Sequence, residues 1–258
     1  TLENATDGSG GLAANYQPPT LNHANAPVTI SAKALTMSGL TSTNKVYDGT
    51  TSATVSGGPG NLQGNISAGS GTDSDGKPYE DTSNVSLTGT VTGTFNDKDV
   101  ADATTVSFSG FSLTGSESSN YTLTAHADAS HSITPKPMTI SGLTAYNMQY
   151  NGGTSIYIWN TDIVMTGLVT IGGVDDDVTR DSGWNGTMAD ANAGDGKSVT
   201  ISSTYSGADV GNYNITDQTT TTVDIAPREV KLSASKVYDA TTSLGAGTIT
   251  ITTGLSSE

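Results

Sequence analysis

Ile133-Thr134-Pro135-Lys136-Pro137-Met138-Thr139-Ile140 decides the reading of this chain, because the same joint occurs twice more. Ile30-Ser31-Ala32-Lys33 and Ile225-Ala226-Pro227-Arg228 share its form, an isoleucine three residues before a base. An alternating segment follows each joint: Leu35-Thr36-Met37, Met138-Thr139-Ile140 and Val230-Lys231-Leu232. That alternation suits a strand with one buried face. Two further marks recur in step. Tyr47-Asp48-Gly49, Tyr150-Asn151-Gly152 and Tyr238-Asp239-Ala240 come after the joints, while Asn15-Tyr16, Asn120-Tyr121 and Asn212-Tyr213 come towards the end of each unit.

The chain therefore reads as four units, two of them complete. Residues 1–31 are read as the last strand or strands of one repeat, 32–134 and 135–226 as complete repeats, and 227–258 as the opening strands of another. A period of roughly 90–105 residues suits immunoglobulin-sized sandwiches, whereas a solenoid repeats in rungs of about 20–30. Thr outnumbers the 31 Gly, helix formers are scarce and apolar residues make up only 33%. The expected fold is all-β: tandem immunoglobulin-like, Greek-key antiparallel β-sandwich repeats arranged end to end. Pro135, Pro137 and Pro227 stiffen two of the joints.

Local signals refine this. Val85, Leu87, Val91 and Phe95 share one parity, as one long or bent strand, and Gly110 marks a bulge between Val106/Phe108 and Phe111/Leu113, whose parity is opposite. Asp75-Gly76, Asn185-Gly186 and Asp195-Gly196 are expected to form hairpin turns. The repeated tyrosines are expected to pack beneath turns whose Asp48 or Asn151 bonds local amides. A carbohydrate-binding ladder of these rings is the competing reading, and Tyr16, Tyr121 and Tyr213 suit corner-fixing roles. Lys33, Lys136 and Arg228 are expected either to bridge to an acidic loop or to stand solvated.

Composition weighs against several functions. A net charge of -15 repels phosphate backbones and anionic lipid surfaces, so no nucleic acid and no membrane insertion are expected. The most apolar stretch, Ile163 to Val174, is too short to span a bilayer as a helix. Cysteine is absent, which removes disulfides and thiol chemistry. Three histidines, His23, His126 and His131, form no metalloprotease motif, no nucleophile elbow is present, and Gly196-Lys197-Ser198 lacks the leading glycine of a phosphate loop. No enzyme activity is expected, and no catalytic, cofactor or metal residues are assigned. Acidic groups Asp73, Asp75, Glu80 and Asp81, then Asp175 to Asp177 with Asp181, then Asp190, Asn192 and Asp195 raise calcium only as a stabiliser.

Lys45-Val46-Tyr47-Asp48-Gly49-Thr50-Thr51 and Lys236-Val237-Tyr238-Asp239-Ala240-Thr241-Thr242 resemble the signature of YDG repeats, and the joints look like those of the related MBG, mostly bacterial Greek key, group. The second unit departs from the signature with Met148-Gln149-Tyr150-Asn151-Gly152-Gly153. The resemblance implies the repeat region of a large secreted adhesin, similar to filamentous haemagglutinin and exported by two-partner secretion. It carries no established set of site residues. The function expected is a stalk, spacer or low-affinity adhesive fibre at the bacterial surface or in the extracellular and biofilm matrix. Its partners would be other repeats of the same parent protein, surface polysaccharide, host protein or neighbouring chains. One alternative is a specific glycan- or host-protein-binding module, for which Trp159 and Trp184, both in the second repeat, are the outstanding residues. Another is a filament subunit assembled by strand complementation.

Overall fold

The structure is a computed structural model that describes residues 29–57, 62–80, 84–245 and 249–255. The strand expected before residue 29, with Tyr16 and His23, lies outside the described residues, as does Asp81. Strands and two short 3-10 turns account for all the regular structure described, so the fold is all-β, with antiparallel pairings in the majority.

Two compact units are present. One takes its described residues from Thr1–Leu40, Gly57–Val91 and Ser109–His126, the other from Thr41–Ser56, Thr92–Phe108 and Ala127–Glu258. In the first unit, Lys33–Leu35 pairs in parallel with Tyr121–Leu123, and Ser86–Thr88 pairs antiparallel with Ser112–Thr114. Leu35, Val85 and Tyr121 form its buried cluster, with Leu62 and Leu113 packed against them.

The second unit holds a six-stranded sheet in the order Thr144–Ala145, Ser155–Trp159, Gly183–Met188, Gly194–Ile201, Thr220–Ala226, Met148–Gln149. Its two edge strands are separated in the chain by Tyr146 and Asn147 alone, so one extended segment completes both margins of the sheet. Ile156, Ile158, Met188, Val199, Ile201, Val223 and Ile225 are all buried and alternate with polar neighbours such as Thr187, Thr200 and Asp224. Burial of each such aliphatic chain is worth about 1.5–3 kcal/mol, so this face is a large part of the repeat's apolar stabilisation. Val164–Thr166, Lys136–Ser141 and Tyr213–Thr216 make a smaller sheet that buries Met138 and Ile140.

The joints take part in an arrangement that alternation alone did not reveal. Ile133–Thr134 pairs in parallel with Lys45–Val46, and Thr220–Ala226 pairs in parallel with Met148–Gln149. In each repeat the strand that ends the unit therefore lies beside the strand leading into the repeated tyrosine. The strand that opens each unit also pairs in parallel, Lys33–Leu35 with Tyr121–Leu123 and Lys136–Ser141 with Tyr213–Thr216.

Glycine positions show where the turn expectations held. Gly110 separates Thr105–Ser109 from Ser112–Thr114 with φ +92, which accounts for the change of parity there. The segment from Val85 to Phe95 is bent, as two strands, Ser86–Thr88 and Thr92–Phe95. Asn185-Gly186 is not a turn: it lies inside Gly183–Met188, where a Cβ on Gly186 would come within 2.8 Å of both Ile158 and Val199. Asp195-Gly196 is likewise inside a strand, at a register shift. Asp75-Gly76 bends a loop, with the Asp75 N–H donating to the Thr72 carbonyl.

Gly207, at φ +117, would place a Cβ 2.1 Å from the Asp177 carbonyl oxygen, whereas Gly172, at φ +60, faces open space. Gly172→Ala is expected to cost about 1 kcal/mol, the left-handed penalty alone, and Gly207→Ala at least about 2 kcal/mol more through backbone displacement. Equilibrium denaturant unfolding of the two variants checks the difference.

Candidate repeat-to-repeat junction

The second unit contains the contact between the loops that precede the Ile133 joint and the repeat that follows it. Lys45 and Asp48 build the first of these loops. Asp48 Oδ1 accepts from the Thr50 N–H at 2.9 Å, the Thr50 hydroxyl at 2.8 Å and Lys45 Nζ at 2.7 Å. The same ammonium donates to the Thr50 and Ser52 carbonyls. Burial acts to raise the Asp48 pKa, but these donors together hold it below the usual carboxylate range.

This turn is a local construction that the sequence repeats. In the third copy, Asp239 Oδ1 accepts from the Thr241 N–H, its hydroxyl and Lys236, and Lys236 holds its carboxyl below the usual range. Asn151 Oδ1 accepts from the Gly153 N–H in the second. The residue after each Asp or Asn adopts positive φ: +75 at Gly49, +79 at Gly152 and +62 at Ala240. Ala240 therefore carries a strain that the glycines avoid.

The tyrosine before the turn is fixed to the joint by its backbone. The Tyr47 N–H donates to the Thr134 carbonyl at 2.9 Å and the Tyr150 N–H to the Ala226 carbonyl at 2.8 Å. Tyr47 is then directed across the joint. Its ring is 1% exposed and meets the edge of Tyr213 at a centroid distance of 5.6 Å, and its hydroxyl donates to Asp176 Oδ2 at 2.9 Å. Tyr213 donates to the same carboxylate oxygen at 2.5 Å while its own oxygen accepts the Val169 N–H at 2.9 Å. Burial, followed by the Asp176 bond, pushes the Tyr47 phenol up to about 12 and moves Tyr213 upward by the same causes. A Cβ on Gly49 would lie 2.5 Å from Ile171 Cδ1 and 3.0 Å from Val169 Cγ1. Gly is thus required here for close approach as well as for φ, whereas Ala240 stands in a copy where Tyr238 is 90% exposed.

A second loop, Asn96 to Ala103, supplies the polar half of the contact. Lys98 pairs with Asp99 at 2.7 Å and with Asp209 at 3.2 Å, the Val100 N–H donates to Asn212 Oδ1 at 2.9 Å, and Asn212 Nδ2 donates to Asp99 at 2.8 Å. Asp99 lifts the Lys98 ammonium above its ordinary range, assisted by Asp209 against the opposing effect of burial. Each ion pair is partly solvated and worth about 1 kcal/mol or less, so the buried phenol–carboxylate contact and the Asn212 bonds carry most of the specificity.

Tyr121 accepts the Tyr79 N–H through its hydroxyl, a corner-fixing contact matching that of Tyr213 with Val169. Lys33 is buried, 2.8 Å from Asp75 and 4.2 Å from the Tyr79 ring centroid, whereas Lys136 is half-buried and Arg228 reaches the Gly254 carbonyl. The acidic groups are divided among other tasks: Asp75 on Lys33, Asp190 on Lys197, Asp176 on two phenols and Asp177 on the Ala208 N–H. Among the described residues no three acidic or histidine side chains are grouped to hold a metal ion. Asp176 was singled out from sequence only within an acidic group weighed for calcium, not as a partner of tyrosine, and Asp209 and the Asn96–Ala103 loop were not singled out at all. The pairing of Glu117 with Asn120-Tyr121 and of Asp209 with Asn212-Tyr213, acid four residues before tyrosine, is the signal that could have found Asp209.

Stability should depend on alkaline pH with a defined sign. A phenol raised from 10 to about 12 on folding contributes fully below pH 10 and loses that contribution as pH climbs towards 12. Tyr205, raised to about 12 by burial and its bond to Asp217, acts in the same direction. The melting temperature should fall between pH of about 10 and about 12, and Tyr47→Phe should flatten the fall while costing about 1 kcal/mol at neutral pH. Calorimetric melts across that range measure both effects.

Among known proteins, the family model described as YDG domain matches residues 31–129 and 134–222. No curated protein and no solved structure matches the chain.

Proposed function

The chain belongs to the YDG domain family, and from that premise we propose that it is a mechanical repeat segment, a stalk or spacer of a secreted bacterial surface adhesin. The observation that carries this reading is the parallel pairing at both ends of each repeat. In the second repeat the opening strand Lys136–Ser141 lies parallel to Tyr213–Thr216, and the closing strand Thr220–Ala226 lies parallel to Met148–Gln149. Tension applied through the joints pulls such strands past each other, so their hydrogen bonds must yield together. An antiparallel terminal hairpin would instead peel open one bond at a time. The first repeat has the same two parallel pairs, Lys33–Leu35 with Tyr121–Leu123 and Ile133–Thr134 with Lys45–Val46.

The junction supports the same reading. Tyr47 is anchored to the joint carbonyl of Thr134 and inserted against Tyr213 and Asp176, so a load reaching the joint is shared by a buried contact as well as by the backbone. Negative charge keeps such a segment soluble at high local density. In this role the segment lies outside the cell, in contact with other repeats of its parent, and needs no catalytic chemistry.

Single-molecule pulling between the chain ends tests it, and the lack of cysteine lets handles be attached at engineered thiols without side reactions. Discrete, cooperative unfolding events that each release roughly one repeat of about 90–105 residues are expected. Gradual lengthening at low force, without such events, would contradict a load-carrying role.

A further inference from the structure

Outside the junction, the feature that the fold does not use is a line of aromatic rings on the outer face of the six-stranded sheet. Ile156 and Ile158 point inward and are fully buried, so the alternation of Ser155–Trp159 turns Tyr157 and Trp159 outward. Tyr146, in the short link between the sheet's two edge strands, and Trp184, on the neighbouring strand Gly183–Met188, extend the line. Neighbouring ring centroids are 6.0 Å apart for Tyr146–Trp159, 5.4 Å for Trp159–Tyr157 and 5.7 Å for Tyr157–Trp184. Trp184 is 64% exposed, Tyr146 55% and Trp159 43%. Elsewhere the outward positions of this sheet are filled by Thr187, Ser198, Thr200, Thr222 and Asp224, so the rings depart from the rule that solubilises this face.

The line ends in a groove of mixed polar and apolar lining. An open cavity of about 460 Å³ begins at Tyr146 and is lined by the polar Asn147, Gln149, Asp195 and Asp224 together with Met148 and Ala226. Asp224 is held in place by the Gly196 N–H and Asn147. The exposed carboxylate of Asp195 takes no described bond from the protein, which leaves it to accept from hydroxyl groups of a ligand.

We infer that the Tyr146–Trp159–Tyr157–Trp184 line and its adjoining groove form a binding site for an uncharged glycan chain. Pyranose rings present C–H faces that pack on aromatic rings, and their hydroxyls bond carboxylate and amide oxygens, which is the pairing of surfaces found here. The carboxylates in the groove and the net charge of -15 exclude uronic-acid polymers by repulsion. The site adds capture to the spacer reading and does not depend on it: pulling experiments report the terminal strands, and the binding measurement reports only this face.

The chain's two tryptophans both lie in the line, so its indole fluorescence observes the site alone. Titration with neutral hexasaccharides, β-linked glucan, xylan and N-acetylglucosamine oligomers, is expected to give a saturable change in emission with at least one of them. Polygalacturonate should give none. Trp184→Ala, whose ring is largely exposed, should keep the unfolding midpoint and weaken that binding about tenfold, as read by calorimetry and by the remaining Trp159. Three results would overturn the inference: no saturable change with any neutral oligomer, binding unaltered in Trp184→Ala, or an emission change produced by protein concentration alone together with a doubling of mass, which would make the face a contact between two copies.

Discussion

One backbone hydrogen bond couples the repeat signature to the joint. Tyr47 gives its N–H to Thr134, next to Pro135, and this places its side chain where it can meet Asp176 and Tyr213. The contact would not form if the turn after Tyr47 were built differently. Asp48 accepts the bonds that bend the chain, Lys45 ties the turn to the carbonyls behind it, and Gly49 provides both the left-handed backbone and the clearance beside Ile171. In the two complete repeats the recurring signature is therefore a device that links the tyrosine to the joint carbonyl at the repeat's end, Tyr47 to Thr134 and Tyr150 to Ala226.

The three copies separate the local part of that device from the part that needs a neighbour. The turn forms whether or not the ring is buried, since Asp239 and Thr241 reproduce it beside a Tyr238 that is 90% exposed. The buried ring of Tyr47 meets Tyr213 and Asp176 of the following repeat, while Val169 and Ile171 close on Gly49. This accounts for the substitution pattern within the chain: Ala240 is tolerated where only φ is at issue, while Gly49 stands where a Cβ would strike a neighbour.

Much of this was legible in the sequence, and the reasons for the rest are physical. Alternation identified the buried faces correctly at Leu35/Met37 and Met138/Ile140, because period-two burial is a property of single strands. The Asx-type turn at Asp48 was legible because its donors lie within five residues. Asn185-Gly186 misled because the same dipeptide that makes a tight turn also suits a strand whose glycine lets Ile158 and Val199 approach, and only the partner strands tell the two apart. Parallel pairing of the terminal strands, the role of Asp176 and the gathering of Tyr146, Tyr157, Trp159 and Trp184 into one line are non-local, so no spacing in the chain announced them. The repeated tyrosine was expected to pack beneath its own turn; at Tyr47 the hydroxyl instead reaches Asp176 of the next repeat.

A double-mutant cycle on Tyr47 and Asp176 tests the central claim most directly. Unfolding free energies of the parent chain, Tyr47→Phe, Asp176→Ala and the double variant isolate the term that exists only when the phenol and the carboxylate meet across the joint. A favourable coupling of about 1–3 kcal/mol is predicted for a buried, charge-assisted hydrogen bond. Additive effects, with coupling indistinguishable from zero, would mean that the two repeats fold without this contact and that the tyrosine serves its own turn alone.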